Sequence, residues 1–176
     1  MGMRLFVAFN IPANLAREAM ACQPSAEENI RLSPMANLHV TLHFLGDANH
    51  VLVHRALQTI QLDSFAACLN GTGQFSLSGN KKILWLGIDP SDALLSLHDA
   101  INKSLLDAGL GLSKHQYQPH LTLARCKSGY SEQSVNHFLN KEFEPSQFKV
   151  NGFSLFNSEV CDDTQVYTCL HSYGLA

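Results

Sequence analysis

The hydrophobic positions of this chain recur with two periods, and the two periods alternate along the sequence. Short apolar runs predict strands at 4–9, 38–45, 65–77, 83–88, 120–126, 148–156 and 166–171. Apolar residues at helical spacing predict helices at 12–22, 53–60, 94–105 and 131–139. The order strand, helix, strand, helix, strand therefore occurs twice, which predicts a single domain over 1–176 with an internal repeat of roughly 4–80 and 81–176.

Glycine, proline and serine residues set the expected ends of these elements. The polar segment 23–37 contains two prolines and is predicted to be a loop. Gly46 is expected to end the second strand, and Gly71 and Gly73 are expected to interrupt the third. The hydroxyl of Ser91 is placed to cap the helix that follows it.

One four-residue pattern occurs in both halves of the predicted repeat. The letters HVTL begin at His39 in the second strand, and the letters HLTL begin at His120 in the fifth. Successive side chains of a strand point to opposite faces, so His39 and Thr41 share one face, about 6.6 Å apart along the strand. His120 and Thr122 share a face in the same way. Each pair can therefore face one small polar group.

Strict alternation makes different predictions for the neighbouring positions. Phe44 and Arg125 fall on the face opposite the nearest motif histidine, so they reach its surroundings only where the strand bends or ends. His43 falls on the face of His39 and is expected at the surface or behind the site. The spacing of His39 and His43 imitates a helical zinc site, but on a strand their rings lie about 13 Å apart, too far for one ion. We therefore expect no metal and no cofactor.

Two histidines and two threonines at matched positions suit the cleavage of a phosphodiester without a metal. One imidazole can take a proton from the attacking oxygen while the other gives a proton to the leaving oxygen, because an unperturbed pKa of about 6.5 populates both forms near neutral pH. The hydroxyls of Thr41 and Thr122 can donate to phosphoryl oxygens as charge accumulates there. The pattern therefore predicts His39 and His120 as catalytic residues and the two threonines as phosphate-binding residues.

The amino-acid composition limits the binding partners and the cellular compartment that are expected for this protein. The chain has 176 residues, 45% of them hydrophobic, and a formal net charge of −3 with 12 lysines and arginines. This balance disfavours a broad polyanion-binding surface, so a nucleic-acid substrate is expected to be met at its end. The five cysteines form no CxxC pair and are predicted to be reduced and buried. With no signal sequence and no long apolar run, the chain is expected to be cytoplasmic and not to enter a membrane.

The residues around both motifs carry a resemblance to a known family. The segments RLFVAFNIP at 4–12, LHVTLHFLG at 38–46 and PHLTLAR at 119–125 look like those of the 2H phosphoesterase superfamily. More narrowly, they resemble the RNA 2′,3′-cyclic phosphodiesterases, also known as 2′-5′ RNA ligases. The resemblance covers essentially the whole chain. It implies an α+β fold of two pseudo-symmetric lobes, each an antiparallel sheet backed by helices, with the motif strands facing across a central cleft.

The resemblance also implies a reaction and the roles of site residues. The reaction is metal-independent hydrolysis of a 2′,3′-cyclic phosphate at an RNA or nucleotide end to a 2′-phosphomonoester, with reversible 2′-5′ joining of RNA ends as a second activity. His39 matches the proton donor to the leaving 3′ oxygen, and His120 matches the base that activates water. The residues alone do not distinguish the acid from the base. The other matched residues bind substrate: Thr41, Thr122 and Arg125 at the phosphate, and Phe44 at the base.

Two alternatives stay open at this point. A non-catalytic module that binds AMP would share the fold, and a phosphodiesterase for 2′-5′-linked oligonucleotides or a cyclic ADP-ribose phosphate would share the site. The expected substrates are RNA ends or nucleotides that carry a 2′,3′-cyclic phosphate, with tRNA fragments as candidates. The protein is expected to be a monomer.

Overall fold

The computed structural model describes residues 3–111, 116–161 and 164–176, and it confirms the predicted α+β class. The strands are β1 Met3–Asn10, β2 Ile30–Leu32, β3 His39–Ala48, β4 Phe65–Leu77, β5 Lys81–Ile88, β6 His120–Cys126, β7 Ser146–Val150, β8 Gly152–Cys161 and β9 Thr164–Gly174. The helices are α1 Ala13–Cys22, α2 His50–Leu57, α3 Asp92–Asp107 and α4 Glu132–Leu139, with a 3₁₀ turn at Met35–Asn37.

The strands form an antiparallel sheet in the order β7-β4-β5-β6-β3-β1-β8-β9, with β2 alongside β6. The two motif strands, β3 and β6, meet in the middle of this order through the pairing of Val40 with Leu121. On either side of that pair the sheet divides into two lobes, β3-β1-β8-β9 and β6-β5-β4-β7. A cleft lies between the lobes, bordered by both motif strands.

The lobes do not coincide with the two halves of the sequence. β4 lies within the segment 4–80 but pairs with β5 and β7. β8 and β9, at the end of the chain, extend the lobe of β1 and β3. The repeat over 4–80 and 81–176 therefore stays a prediction about the sequence, while each lobe is built from both of these segments.

The helices pack their apolar stripes against one face of the sheet, as the spacing of apolar residues predicts. On α3 the stripe is fully buried and consists of Leu94, Leu97, Ile101 and Leu105. Ser91 caps this helix as predicted, since its hydroxyl accepts a hydrogen bond from the Leu94 amide. On the other face of β1, Phe6 and Ala8 form a small separate cluster with Phe156. The cleft is on this second face, away from the helices.

Gly46, Gly71 and Gly73 do not end or interrupt their strands, contrary to the prediction. β3 continues to Ala48 because Gly46 adopts a φ of 67° beside a bulge in the pairing with β1. Gly71, with a φ of 60°, lies at a similar bulge in β4. Gly73 is required by packing, since a Cβ atom there would lie 2.1 Å from the ring of Trp85.

Two further predictions are wrong in detail because strand pairing overrides local sequence. The predicted loop 23–37 contains β2, which pairs with β6. The side chain of Gln23 donates hydrogen bonds to the carbonyl oxygens of Ser33, just after β2, and of Leu123 on β6. The predicted strand 148–156 is divided between β7 and β8, since β7 pairs with β4 in one lobe and β8 pairs with β1 in the other.

The cysteines that the structure describes are free thiols, but they are not all buried. Cys22 and Cys126 are buried and Cys68 is half-buried. Cys161 and Cys169 are exposed, contrary to the prediction, because they lie at the end of β8 and on the edge strand β9. Within the described ranges, no helix is long and apolar enough to cross a membrane.

Candidate active site

The cleft between the lobes has a volume of about 600 Å³ and contains every site residue selected from the sequence. His39 and His120 are the first residues of β3 and β6, so each histidine enters the cleft where its strand begins. Thr41 and Thr122 follow on the same face, and all four side chains are half-buried. The fold thus brings the two copies of the motif together around one space.

A backbone carbonyl orients each histidine ring. The Nδ1 atom of His39 lies 2.8 Å from the carbonyl oxygen of Asn37, and Nδ1 of His120 lies 2.7 Å from that of Gln118. A carbonyl oxygen only accepts hydrogen bonds, so Nδ1 donates in both rings. The neutral form of each histidine then carries its free lone pair on Nε2, which is the atom left for proton transfer.

Aromatic rings surround both histidines and exclude water from one side of each. His39 packs against Phe6 and Tyr167, with centroid distances of 4.9 and 5.1 Å. His120 packs edge-on against Phe75 at a centroid distance of 4.9 Å. Both rings still line the cleft.

Burial makes both imidazoles weaker bases than usual. Burial lowers the pKa of His39 to about 4, with smaller lowering contributions from the positive charges of His120 and Arg125, while the hydrogen bond to Asn37 acts in the opposite direction. The pKa of His120 is also lowered, mainly by burial and less by Arg125, against the hydrogen bond to Gln118. Both histidines are therefore neutral at pH 7 in the free protein, and a bound anion would raise their pKa values.

Phe44 and Arg125 also face the cleft, and matching bulges in the two motif strands are the reason. The register of β3 against β1 skips Leu42, and the register of β6 against β5 skips Leu123. Each extra residue reverses the alternation beyond it, so that Phe44 and Arg125 return to the cleft face. Phe44 is 60% exposed there. The strict alternation expected from the sequence fails at the same place in both motifs.

The bulge in β3 also removes His43 from the face of His39, where alternation predicted it. His43 is only 5% exposed, and this burial lowers the pKa of its imidazole. It borders a neighbouring pocket of about 520 Å³ together with His98, Asn102 and Tyr117. In the part of the chain that the structure describes, Nε2 of His43 has no well-formed hydrogen bond, and no three His, Cys, Asp or Glu residues are grouped to hold a metal ion.

Sequence reasoning missed other residues that line the cleft, among them Arg4, Arg31 and Tyr167. Arg31 on β2 lies directly opposite Arg125 on β6. Burial raises the pKa of the Tyr167 hydroxyl, while the positive charges of Arg125, Arg4 and Arg31 act in the opposite direction. Arg4 stands out in the sequence as a charged residue at the start of an apolar strand. Nothing in the sequence indicated Arg31 or Tyr167, because strand pairing alone brings them to the site.

A two-lobed antiparallel sheet that presents a His-x-Thr strand on each side of one cleft defines a protein of the 2H phosphoesterase class. Within that class, the chain belongs to the 2′-5′ RNA ligase superfamily, whose sequence profile matches residues 11–160.

Individual relatives match over most of the chain. An RNA 2′,3′-cyclic phosphodiesterase of Methanocaldococcus jannaschii is 25% identical over 176 residues, covering 97% of this chain and 100% of the relative. An RNA 2′,3′-cyclic phosphodiesterase of Thermotoga maritima is 24% identical over 140 residues, covering 77% of this chain and 74% of the relative. The crystal structure of E. coli LigT complexed with 3′-AMP superposes with a TM-score of 0.83 at 24% identity, covering 99% of each chain.

Proposed function

We propose that the protein is a metal-independent RNA 2′,3′-cyclic phosphodiesterase, which opens the cyclic phosphate at an RNA or nucleotide end to leave a 2′-phosphomonoester. The observation that carries this proposal is the presence of His39 and His120 in one cleft, each with Nδ1 held by a carbonyl oxygen. Such a pair can supply one base and one acid to the same phosphorus atom. The relatives from M. jannaschii and T. maritima, which bear the name of this activity, support the assignment.

The proposed reaction is an in-line displacement by water. Nε2 of His120 takes a proton from water as the water oxygen forms a bond to phosphorus. The bond between phosphorus and O3′ breaks, and Nε2 of His39 gives its proton to O3′. The products are a 2′-phosphomonoester and a 3′-hydroxyl, and proton exchange with solvent restores both rings. The acid and base roles follow the family resemblance.

Substrate charge prepares the acid in this scheme. His39 has a pKa of about 4 in the free protein and is neutral at pH 7. A phosphodiester anion beside the ring favours the imidazolium form and so raises that pKa on binding. Substrate binding is therefore coupled to the uptake of the proton that His39 later donates.

The other cleft residues have binding roles in the proposal. The hydroxyls of Thr41 and Thr122 and the guanidinium of Arg125 donate hydrogen bonds to the non-bridging phosphoryl oxygens, where charge develops. Phe44 offers an exposed ring for a nucleobase, and its contact with Phe6 at a centroid distance of 5.9 Å supports the ring from behind.

The same geometry extends the proposal to 2′-5′ joining. If the 5′-hydroxyl of a second RNA replaces water, His120 takes the proton of that hydroxyl and His39 again protonates O3′. The product is a 2′-5′ phosphodiester, and the reverse reaction uses the same two groups with exchanged roles. Hydrolysis and joining then differ only in the nucleophile that occupies the site.

Product analysis tests the proposed function. Incubation with adenosine 2′,3′-cyclic phosphate in the presence of EDTA is expected to yield 2′-AMP, separated from 3′-AMP by chromatography. Formation of 3′-AMP would contradict the assigned leaving group. Activity lost on chelation and restored by zinc would contradict metal independence. Binding of AMP without any turnover would replace the enzyme by a nucleotide-binding module.

A further inference from the structure

Three arginines from three different strands line the active-site cleft. Arg4 is on β1, Arg31 on β2 and Arg125 on β6, and we call these residues the arginine cluster. Tyr167 on β9 lines the same cleft, and all three guanidinium charges act on its hydroxyl. Because Tyr167 also packs against His39 at a centroid distance of 5.1 Å, the cluster lies beside the catalytic pair.

Among the described residues no carboxylate forms an ion pair with this cluster, and Asp47 lies opposite Arg4 in the pairing of β3 with β1. No Asp or Glu is among the described residues that line the cleft. The ion pairs between lysines and carboxylates in the described ranges lie elsewhere: Lys82 with Glu132, and Lys103 with Asp107. The formal net charge of the chain is −3, so positive charge is concentrated here against the overall balance. Unpaired guanidiniums in a partly enclosed cleft favour the binding of anions.

A single scissile phosphate does not account for the whole cluster. A cyclic phosphodiester carries one negative charge, and Arg125 with the two motif threonines already serves it in the proposed function. Arg31 extends this array of donors on the neighbouring strand β2. Arg4 is on the other lobe, on the strand of Phe6, whose ring packs against His39. The two additional guanidiniums therefore approach the cleft from both lobes.

We propose that Arg4, Arg31 and the Tyr167 hydroxyl form a second phosphate site, which binds the phosphate on the 5′ side of the terminal nucleotide. This inference rests on the proposed function, because the 5′ phosphate is the nearest additional phosphate to a 2′,3′-cyclic end of RNA. The preferred substrate is then an RNA end, and a nucleoside 2′,3′-cyclic phosphate is bound more weakly. The planar fork of an arginine suits two oxygens of one phosphate.

Equilibrium binding tests the second site without requiring turnover. Isothermal titration calorimetry compares adenosine 2′-phosphate with adenosine 2′,5′-bisphosphate, which differs by the 5′-phosphate alone. The bisphosphate is expected to bind about 10- to 100-fold more tightly, the usual effect of one or two charge-assisted hydrogen bonds. A difference of less than about twofold would overturn the proposal, since charged hydrogen bonds at a real site exceed that effect.

Kinetics with three substrates distinguish the possible sources of the phosphate. The first substrate is adenosine 2′,3′-cyclic phosphate, and the second is the same nucleotide with a 5′-phosphate. The third is a dinucleotide whose 3′-terminal residue is adenosine 2′,3′-cyclic phosphate. A higher kcat/KM for the dinucleotide than for the first substrate supports recognition of an RNA chain. A gain confined to the 5′-phosphorylated mononucleotide overturns that recognition. If no substrate is turned over, the proposed function fails, while the binding comparison still decides on the second site.

Matched variants assign the effect to the cluster. Arg31→Gln and Arg4→Gln are each expected to lower the affinity ratio of bisphosphate to monophosphate at least fivefold. Arg55→Gln is the control, because Arg55 is exposed on α2 and does not line the cleft. Bisphosphate binding should also become less sensitive to salt in the two cleft variants, because each has lost one charged contact that salt screens. Equal losses of affinity for both ligands would overturn the proposal.

Discussion

The carbonyl oxygens of Asn37 and Gln118 decide how the two central imidazoles face the cleft. Each accepts a hydrogen bond from Nδ1 of the histidine two residues later, so the neutral ring has one tautomer and one orientation. The aromatic rings packed against His39 and His120 add burial, which keeps the rings neutral until an anion binds. Local backbone geometry and the surrounding side chains together set the orientation and the basicity of the two rings, on which the proposed acid and base roles depend.

Replacing either histidine tests this preparation most directly. His39→Ala and His120→Ala are each expected to lower kcat for adenosine 2′,3′-cyclic phosphate by about 10²- to 10⁴-fold, the usual effect of losing a positioned acid or base. His137→Ala is the matched control, because His137 is exposed on α4 and does not line the cleft. Circular dichroism checks that the variants fold. Activity near that of the wild type in either cleft variant would contradict the catalytic roles.

The pH dependence of kcat/KM tests the electrostatics of the same residues. Because burial lowers both pKa values, the bell-shaped profile is expected to have its optimum below the ordinary histidine pKa of about 6.5. The positive charge of Arg125 lowers both values further, so Arg125→Gln is expected to move both limbs toward higher pH. Initial rates from pH 3 to 9 measure the limbs. A flat profile, or limbs that do not move in the variant, would contradict this account.

At the scale of elements, bulges and close packing aim the side chains. The bulges at Leu42 and Leu123 return Phe44 and Arg125 to the cleft. Behind His120, the ring of Trp85 on β5 lies at a centroid distance of 6.2 Å. This ring packs directly over the backbone of β4 at Gly73.

Gly73→Ala is expected to disturb both stability and catalysis. Its Cβ would lie 2.1 Å from the Trp85 ring, so the ring must move, at a cost of about 1–3 kcal/mol in the free energy of unfolding, as in other overpacked sites. Displacement of Trp85 toward His120 should also lower kcat. Gly174→Ala is the control, since nothing lies within 4 Å of its Cβ position. Urea unfolding and initial rates that match the wild type would show that this contact is not a constraint.

At the scale of the whole molecule, exchanged strands tie the two lobes together. β4 joins the lobe of β5 and β6, while β8 and β9 return to the lobe of β1 and β3. The C-terminal residue Ala176 is held beside Leu62 and Ser64 by backbone hydrogen bonds. Because neither lobe is a continuous piece of chain, we expect the residues of the cleft to unfold in the same transition as the rest of the protein.

Mild acid is expected to destabilise the folded protein through its buried histidines. His39, His43 and His120 have lowered pKa values in the fold, so the unfolded chain binds more protons as the pH falls below about 6.5. The free energy of unfolding should therefore decrease from pH 7.5 to pH 5, as measured with urea. His43→Gln removes a titrating group outside the cleft, so the free energy of unfolding of this variant should decrease less steeply over the same pH range. An equal slope in this variant would exclude a contribution from His43.

Much of the fold and the centre of the site were predictable because they depend on local properties of the sequence. Apolar spacing is a direct record of which face of an element is buried, so α3 and its capping residue Ser91 were predicted correctly. Alternation along a strand likewise places each motif threonine beside its histidine. The resemblance to the 2H phosphoesterases supplied the expectation that both motifs meet in one cleft.

The sequence by itself thus determined the four helices with their buried faces, most of the strands and the two His-x-Thr pairs, since each is set by neighbours along the chain. Only the tertiary structure decided the bulges that turn Phe44 and Arg125 inward, the burial of His43 and the exchange of strands between lobes. It also decided the arginine cluster, whose members lie far apart in the sequence. The physical reason is that register and cross-strand proximity depend on backbone pairing between distant segments, which no local pattern of residues encodes.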